Sequence, residues 1–455
     1  MFARTEFVRN RLLDRNDNWS QYLYRYFIVE GSGADGSEKE NDAKSIYRDY
    51  FDAFTKLIDS IESRGFDSSL GSILLGDGGL VNGAHRLAIA AYLDLPVHIV
   101  RTPETAGNYD YRWMIRKKLS SVAIDAMAFN LVKMMPNCRA TLLFDLEQST
   151  TQRIEEVLSR SSEIIIRKRI RLSDIGKRRV VDLAYGHNEW WSINLLEKMT
   201  AERFRRDQDS WCDVIFTLEN DVHDVRPRKT ELRRLLPHGY FERRIHGSDE
   251  YSDTFYLAES LLNQNSLRFL NTSPVGSEAR IFELIGGPVP TDSPAVATRD
   301  WVLDGSAVLE VHGIRQARDI DFISTCNATV PEKIKKQGDS HSDQYVGKEF
   351  SVDDIVVDPR RHLIHRGVKF VSLDSYFLLK HESVSARWRD DLVAVLHRTS
   401  ATQNIYQEPY QEQLSHAIKW MFLFGHFLDR QLRRLPKGLE LILRRFANQV
   451  RRLID

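Results

Sequence analysis

Cysteine is scarce: three residues in 455, Cys138, Cys212 and Cys326, stand far apart without a CxxC spacing. That excludes a disulfide framework and a cysteine-rich zinc site, and it fits a reducing cytoplasm. Excess charge of either sign is missing too, since 64 Lys and Arg face 64 Asp and Glu. A chain that as a whole coats nucleic acid by neutralising phosphates would be strongly basic, so a nucleic-acid partner is not expected. Long hydrophobic runs are absent. The longest apolar stretch, Ile418 to Leu428, is interrupted by Lys419, Gly425 and His426 and falls short of the roughly 18 residues that span a bilayer. The opening MFARTEFVRNRLLDRNDNW is charged throughout and carries no secretory h-region. The expected location is the cytoplasm.

Hydrophobic residues are nonetheless frequent enough, at 42%, to bury real cores, and the length predicts about three domains. Periodicity and turn signals divide the chain into an α+β segment over 1–115, an α/β segment over 116–275, a second α+β segment over 276–400 and a basic helical tail over 401–455. Residues 22–29 (YLYRYFIV) read as a strand. Gly31, Gly33 and Gly36 spell GxGxxG, but a charged stretch follows instead of a helix, so a dinucleotide site is not expected. Ile46, Tyr50, Phe51, Phe54, Leu57, Ile58 and Ile61 recur at three and four and predict a helix ended by Gly65. Between 140 and 268 strands (140–146, 163–172, 212–219) alternate with helices (151–160, 176–185, 226–236, 253–268), the pattern of an α/β domain. The Pro, Gly and Ser-rich stretch 271–296 predicts a boundary.

The first chemical motif is LVNGAHRLAIAAYLDLPVHIV. A strand ends in Asn82-Gly83, and a helix opens at once with Ala84-His85-Arg86. Free amides at a helix start, a glycine allowing close approach, and His and Arg on the first turn make an anion site. Packing of His85 and pairing of Arg86 with a carboxylate are the ordinary alternative. The stretch resembles the ParB and sulfiredoxin superfamily over about 45–105, whose (I/V)(D/N)G-x-(H/E)R turn binds nucleotide phosphates. The resemblance implies nucleotide-binding roles for Gly83, His85 and Arg86, and with them either a small-molecule kinase or a nucleotide-sensing or DNA-partition module. Sulfiredoxin's own chemistry is excluded, because its turn cysteine is absent.

The second motif is LDGSAVLEVHGIRQARDIDFIS. Gly305-Ser306 precede Asp319-Ile320-Asp321-Phe322 by twelve residues, and two Asp residues flanking one apolar residue on a strand share a face. Hard carboxylate oxygens so placed suit Mg²⁺ carrying a nucleoside triphosphate; solvated Asp residues paired with Arg315 and Arg318 are the ordinary reading. The segment resembles the polymerase-β-type nucleotidyltransferases, with signature hG(G/S) followed by (D/E)h(D/E)h. This implies that Gly305 and Ser306 contact the triphosphate, that Asp319 and Asp321 hold one Mg²⁺ ion or two, and that a third carboxylate lies on a later strand. IVVD offers Asp358 for that third place, with Asp354 as runner-up. The strand and helix in VKFVSLDSYFLLKHESVSARWRDDL, with Lys380, Arg387 and Asp390 along the helix, resemble the close of such domains. Asp304, where the signature has an apolar residue, departs from it.

The whole arrangement also resembles bacterial proteins encoded beside surface-polysaccharide enzymes, which implies a sugar, sugar phosphate or polyol phosphate as acceptor. The expected activity is transfer of a nucleoside monophosphate from an NTP to such a small or glycan-linked acceptor. Weaker signals are His187, Trp190 and Trp191, a sugar-stacking platform or a buried pair; His312 and Arg315, substrate contacts or structural residues; His246 and Asp249, a cleft edge or a polar turn; and a basic helix face at Arg226, Arg228, Lys229, Arg233 and Arg234. The tail sets Trp420, Phe422, Phe424 and Phe427 beside Arg430, Arg433, Arg434, Arg444, Arg445, Arg451 and Arg452. It can lie on an anionic membrane as a peripheral contact on the inner face, or pack on protein.

Overall fold

The computed structural model describes residues 2–15, 17–31, 46–107, 109–186, 191–204, 210–219, 225–236, 243–287, 300–326, 328–345, 350–380 and 390–395. Met1–Ser372 form one compact unit and Leu373–Asp455 a second. The basic tail, His187, Trp190, Gly33, Gly36 and Arg387 lie outside the described residues. In the second unit the helix Leu373–Lys380 and a helical turn at 390–395 are described. Among the described residues no helix is long and apolar enough to cross a membrane.

The first unit is a mixed α and β structure with three small sheets. It opens with helices Phe2–Leu12 and Asn18–Tyr26, a π-helical turn Phe27–Gly31, and the helix Tyr47–Arg64. The strand expected over 22–29 is therefore helical. Asp17 accepts a hydrogen bond from the Ser20 amide and starts the helix, and Trp19, Leu23 and Tyr24 are buried on it. Tyr22 and Tyr26, one turn apart, stack at 5.5 Å. Packing of aromatics at helical spacing overrides their strand propensity. The 47–64 helix ends where expected, at Gly65 with φ 77°. Phe7, Tyr24, Ile28, Tyr50, Phe54, Ile58 and Ile89 form a shared core.

Strands β1 (Ile73–Asp77), β2 (Gly79–Asn82) and β3 (Ile99–Thr105) form the first sheet in the order β2-β1-β3. β1 and β2 are an antiparallel hairpin, and β3 runs parallel to β1 after the helix Ala84–Tyr92.

The second sheet contains β4 (Cys138–Phe144), β5 (Ser162–Leu172), β6 (Ser210–Glu219) and β7 (Ile245–Gly247), in the order β5-β6-β4-β7. Every pairing in it is antiparallel, which corrects the α/β expectation. β4 and β5 run the same way, joined by the helix Gln148–Ser161, but β6 lies between them. A strand inserted into each crossover makes a split βαβ arrangement, and strand-helix alternation along the chain cannot tell this from a parallel sheet. β4 is buried along its whole length. The helix expected over 253–268 is two, Tyr251–Leu261 and Gln264–Thr272, the second started by the Asn263 side chain accepting from the Ser266 amide.

The stretch after it, expected as a boundary, is packed through residue 287. The fully buried Arg179 donates to the carbonyls of Ser273 (2.7 Å) and Pro274 and to both carboxylate oxygens of Glu278 at 3.1 and 3.0 Å. His365 Nε2 lies 3.2 Å from the same carboxylate.

The third sheet has β8 (Trp301–Leu303), β9 (Phe322–Ser324), β10 (His362–His365) and β11 (Val368–Val371) in the order β10-β11-β8-β9. β11 is parallel to β8, and the other two pairings are antiparallel. Arg366 and Gly367, both with positive φ, turn the β10-β11 hairpin as a two-residue loop requires.

Candidate functional site

The site begins where β8 meets β9. Their register sets Leu303 opposite Phe322 and continues one residue further, with the Asp304 amide donating to the Asp321 carbonyl at 2.8 Å. The chain then turns at Gly305, φ 62° and ψ −132°, into the wholly buried helix Ser306–Val311. A Cβ on Gly305 would stand 2.8 Å from Asp321 Oδ2. Glycine is thus required twice, by its backbone angles and by the carboxylate against it. Ser306 Oγ donates to the Asp319 carbonyl (3.1 Å) and lies 3.0 Å from Asp319 Oδ1. Four of the residues named from the sequence, Gly305, Ser306, Asp319 and Asp321, accordingly meet at one turn. The pair was expected on a strand, but β9 begins only at Phe322 and both carboxylates stand in the loop before it; Asp319 is exposed, Asp321 is half-buried, and Ile320 between them is buried.

The segment 337–341 lies along this turn. The Ile320 amide donates to the Gln337 carbonyl, the Asp339 amide to Asp321 Oδ1 at 3.3 Å, and the His341 amide to the Phe322 carbonyl. His341 bridges two carboxylates: Nδ1 is 3.0 Å from Asp304 Oδ2, and Nε2 is 3.3 Å from Asp321 Oδ2. Tyr345 donates its hydroxyl to the same Asp304 oxygen at 2.8 Å. Burial pushes the Asp321 carboxyl above its ordinary range, Asp319 and Asp304 push it further, and His341 opposes them. His341 and Tyr345 were not anticipated. His341 sits in the polar run DSHSD, which has no spacing signature; the one hint was Asp304, a carboxylate in an apolar place.

Asp358 is not on a strand. Residues 352–357 are helical, started by Ser351 capping the Asp354 amide, and Asp358 ends that helix. Its carboxylate is buried and accepts from the amide and guanidinium of Arg360 at 2.8 to 3.0 Å. Asp354, the runner-up, accepts from Asn18 and from Ser351. Among the described residues no three His, Cys, Asp or Glu side chains gather as a metal-ligand set.

At the N-terminal turn Gly83 adopts φ 93° and caps the helix Ala84–Tyr92, its amide bonded to Asn82 Oδ1 at 2.6 Å. His85 turns into the aromatic core. Its Nε2 lies 3.0 Å from the Tyr24 hydroxyl, and its ring meets Phe54 edge-on at 4.5 Å. Arg86 lies over Gly71, where a Cβ would stand 1.9 Å from its guanidinium. The turn forms as expected, and His85 packs against Tyr24 and Phe54.

Four of the weaker candidates have structural partners. His312 is buried, bonded through Nδ1 to Ser273 at 2.9 Å. Trp191 stacks on Tyr185 and donates to Asp182 at 2.9 Å. His246 meets Tyr185 edge-on, and Asp249 pairs with Lys229. No protein-family model matches the chain, and no curated protein and no solved structure is significantly similar to it.

Proposed function

We propose that the protein is a nucleotidyltransferase that moves a nucleoside monophosphate from an NTP to a small or glycan-linked acceptor. One observation carries this reading: the Gly305-Ser306 turn is packed directly on the Asp319-Asp321 pair, although the two are separated by twelve residues. A bare glycine opening a helix lets phosphate oxygens approach backbone amides, and the Ser306 hydroxyl, which donates to the Asp319 carbonyl, can rotate to a phosphate oxygen at the same place.

Two carboxylates are enough protein ligands for one Mg²⁺ ion. A magnesium ion that arrives with a triphosphate takes one or two protein carboxylates and fills its other positions with phosphate and water, which Asp319 and Asp321 can supply without Asp358. Bound there, it would screen the triphosphate and draw electron density from the α-phosphorus. The chain's own part is orientation. Asp304, itself held by Tyr345, fixes His341, and His341 with the Asp339 amide fixes the Asp321 carboxylate. In the reaction an acceptor oxygen bonds to the α-phosphorus, the bond to the bridging oxygen breaks, pyrophosphate leaves, and the acceptor proton passes to solvent.

The test is mass spectrometry of the full chain with Mg²⁺, each NTP and a pool of sugar and polyol phosphates. Pyrophosphate with a nucleotidylated product, lost in Asp319→Ala and Asp321→Ala, is expected. Undiminished turnover in Asp319→Ala would refute the assignment. The kinase reading at the 82–86 turn is weakened by His85, which faces Tyr24 and Phe54.

A further inference from the structure

The second sheet buries a guanidinium that its own strands leave without a carboxylate. Arg139 and Thr141 alternate on β4 and so face the same side of the sheet, with Gly247 of β7 opposite Thr141. Arg139 is 7% exposed and Thr141 5%. Among the described residues Arg139 makes its hydrogen bonds through Nη1, to the carbonyls of Pro136 at 3.2 Å and Cys138 at 2.7 Å, while its Nε is buried with no acceptor. Glu219 on β6 accepts from Thr217 and Ser162, and Asp249 pairs with Lys229. Among the described residues neither carboxylate forms an ion pair with Arg139.

A recess opens on this side of the sheet beneath the helix Val225–Arg234. Arg139 and Thr141 line it from β4, Ile245 and Gly247 from β7, and Lys229 and Leu232 from the helix. Gly247 keeps it open, since a Cβ there would stand 3.0 Å from Lys229 Cε. With its mouth the recess encloses about 280 Å³, but it is narrow and admits about one water-sized group at a time.

Holding a guanidinium out of water without a counter-charge is costly. The edge left over here, Nε with Nη2, is the fork that meets a carboxylate through two parallel hydrogen bonds. Lys229 brings a second cation to the recess, and Thr141 a hydroxyl donor. A flat monoanion entering edge-on suits so narrow a space, and Leu232 and Ile245 offer apolar walls to the rest of such a ligand.

We propose that Arg139, Thr141 and Lys229 form a binding site for a small carboxylate, gripped by the free edge of the Arg139 guanidinium. The site shares no residue with the Gly305 turn and does not depend on the nucleotidyl-transfer reading.

The test is thermal unfolding of the full chain in sodium acetate, compared with NaCl and with sodium methanesulfonate at matched ionic strength and pH. Methanesulfonate has the same charge on a tetrahedral head. A saturable rise in Tm with acetate beyond both controls is expected. A second arm uses N-acetylalanine: tighter binding than acetate would assign the site to a polypeptide C-terminus, and weaker binding to a free acid. Arg139→Lys keeps the charge but loses the fork, and should weaken acetate about tenfold or more. Thr141→Val keeps nearly the same shape in the strand and should weaken acetate about two- to tenfold, with Tm in NaCl near that of the wild type. This second variant decides the matter if Arg139→Lys does not fold. A rise no greater than that of either control overturns the proposal, and so does a saturable rise that Thr141→Val and a folded Arg139→Lys leave unchanged.

Discussion

Asp321 Oδ2 stands against the α-carbon of Gly305, 2.8 Å from where a side chain would begin, and the same oxygen faces His341 Nε2 at 3.3 Å. The carboxylate is therefore held from two sides, by an imidazole and by the lack of a side chain. Gly305→Ala places a methyl group where that oxygen lies, on a backbone with φ 62° and ψ −132°. The expected cost is about 1–3 kcal/mol from backbone strain alone, with Asp321 displaced and pyrophosphate release lost. Urea unfolding and an NTP turnover assay read the two effects. Wild-type stability in this variant would show that the turn is not as described.

Asp17 makes a pH prediction. Burial pushes its carboxyl up to about 6, Glu6 and Asp354 push the same way, and the hydrogen bonds from Ser20 oppose them. A carboxyl raised on folding binds its proton more tightly in the folded state. Its stabilisation is full at low pH and is lost as pH rises through about 4 to 6, by about 3 kcal/mol at most. Asp17→Asn keeps an acceptor for the Ser20 amide without the charge. It should match or exceed the wild type in stability at pH 7 and lack this part of the slope. Denaturation curves between pH 3 and 7 check it, and an unchanged slope counts against the assignment.

Arg179 is enclosed by four acceptor groups and lies over the Phe269 ring at 4.5 Å. Arg179→Ala leaves the buried Glu278 with His365 but without its guanidinium, and breaking a buried pair from one side costs about 3–5 kcal/mol. A large loss in urea midpoint is expected; a change within about 0.5 kcal/mol, typical of a surface position, contradicts it.

His85 separates the two nucleotide readings. His85→Phe keeps an aromatic ring against Phe54 and gives up the contact with the Tyr24 hydroxyl, at a cost of about 0.5–1.5 kcal/mol. Nucleotide affinity and pyrophosphate release should stay as in the wild type. A marked fall in nucleotide affinity with stability preserved would return the chemistry to the 82–86 turn.

Much of the local structure was legible. The spacing of Tyr50, Phe54, Ile58 and Ile61 and the stop at Gly65 are properties of one helix, and they hold, whereas Ile46 stands exposed at its N-cap. The Asn82-Gly83 turn and the Gly305-Ser306 turn are written in glycines, which alone take those positive-φ angles without strain. The two helices read as strands have one origin. YLYRYFIV and IVVD read as strands because β-branched and aromatic residues fit a strand, yet Asp17 and Ser351 cap helices there, and the partners that decide the matter, Asp354 bonding Asn18 among them, are more than 300 residues away.

The sequence by itself determined the elements whose signals lie within a few residues: helix periodicity and the turn glycines. The tertiary structure alone decided that the second sheet is antiparallel, that His341 bridges Asp304 and Asp321, that Asp358 is held by Arg360, and that Arg9, Arg15 and Lys133 meet around Glu6 and Asp300. The physical reason is range. Backbone preference and side-chain spacing act over one or two turns, whereas strand order, ion pairing and the field at a buried lysine depend on groups brought together across hundreds of residues.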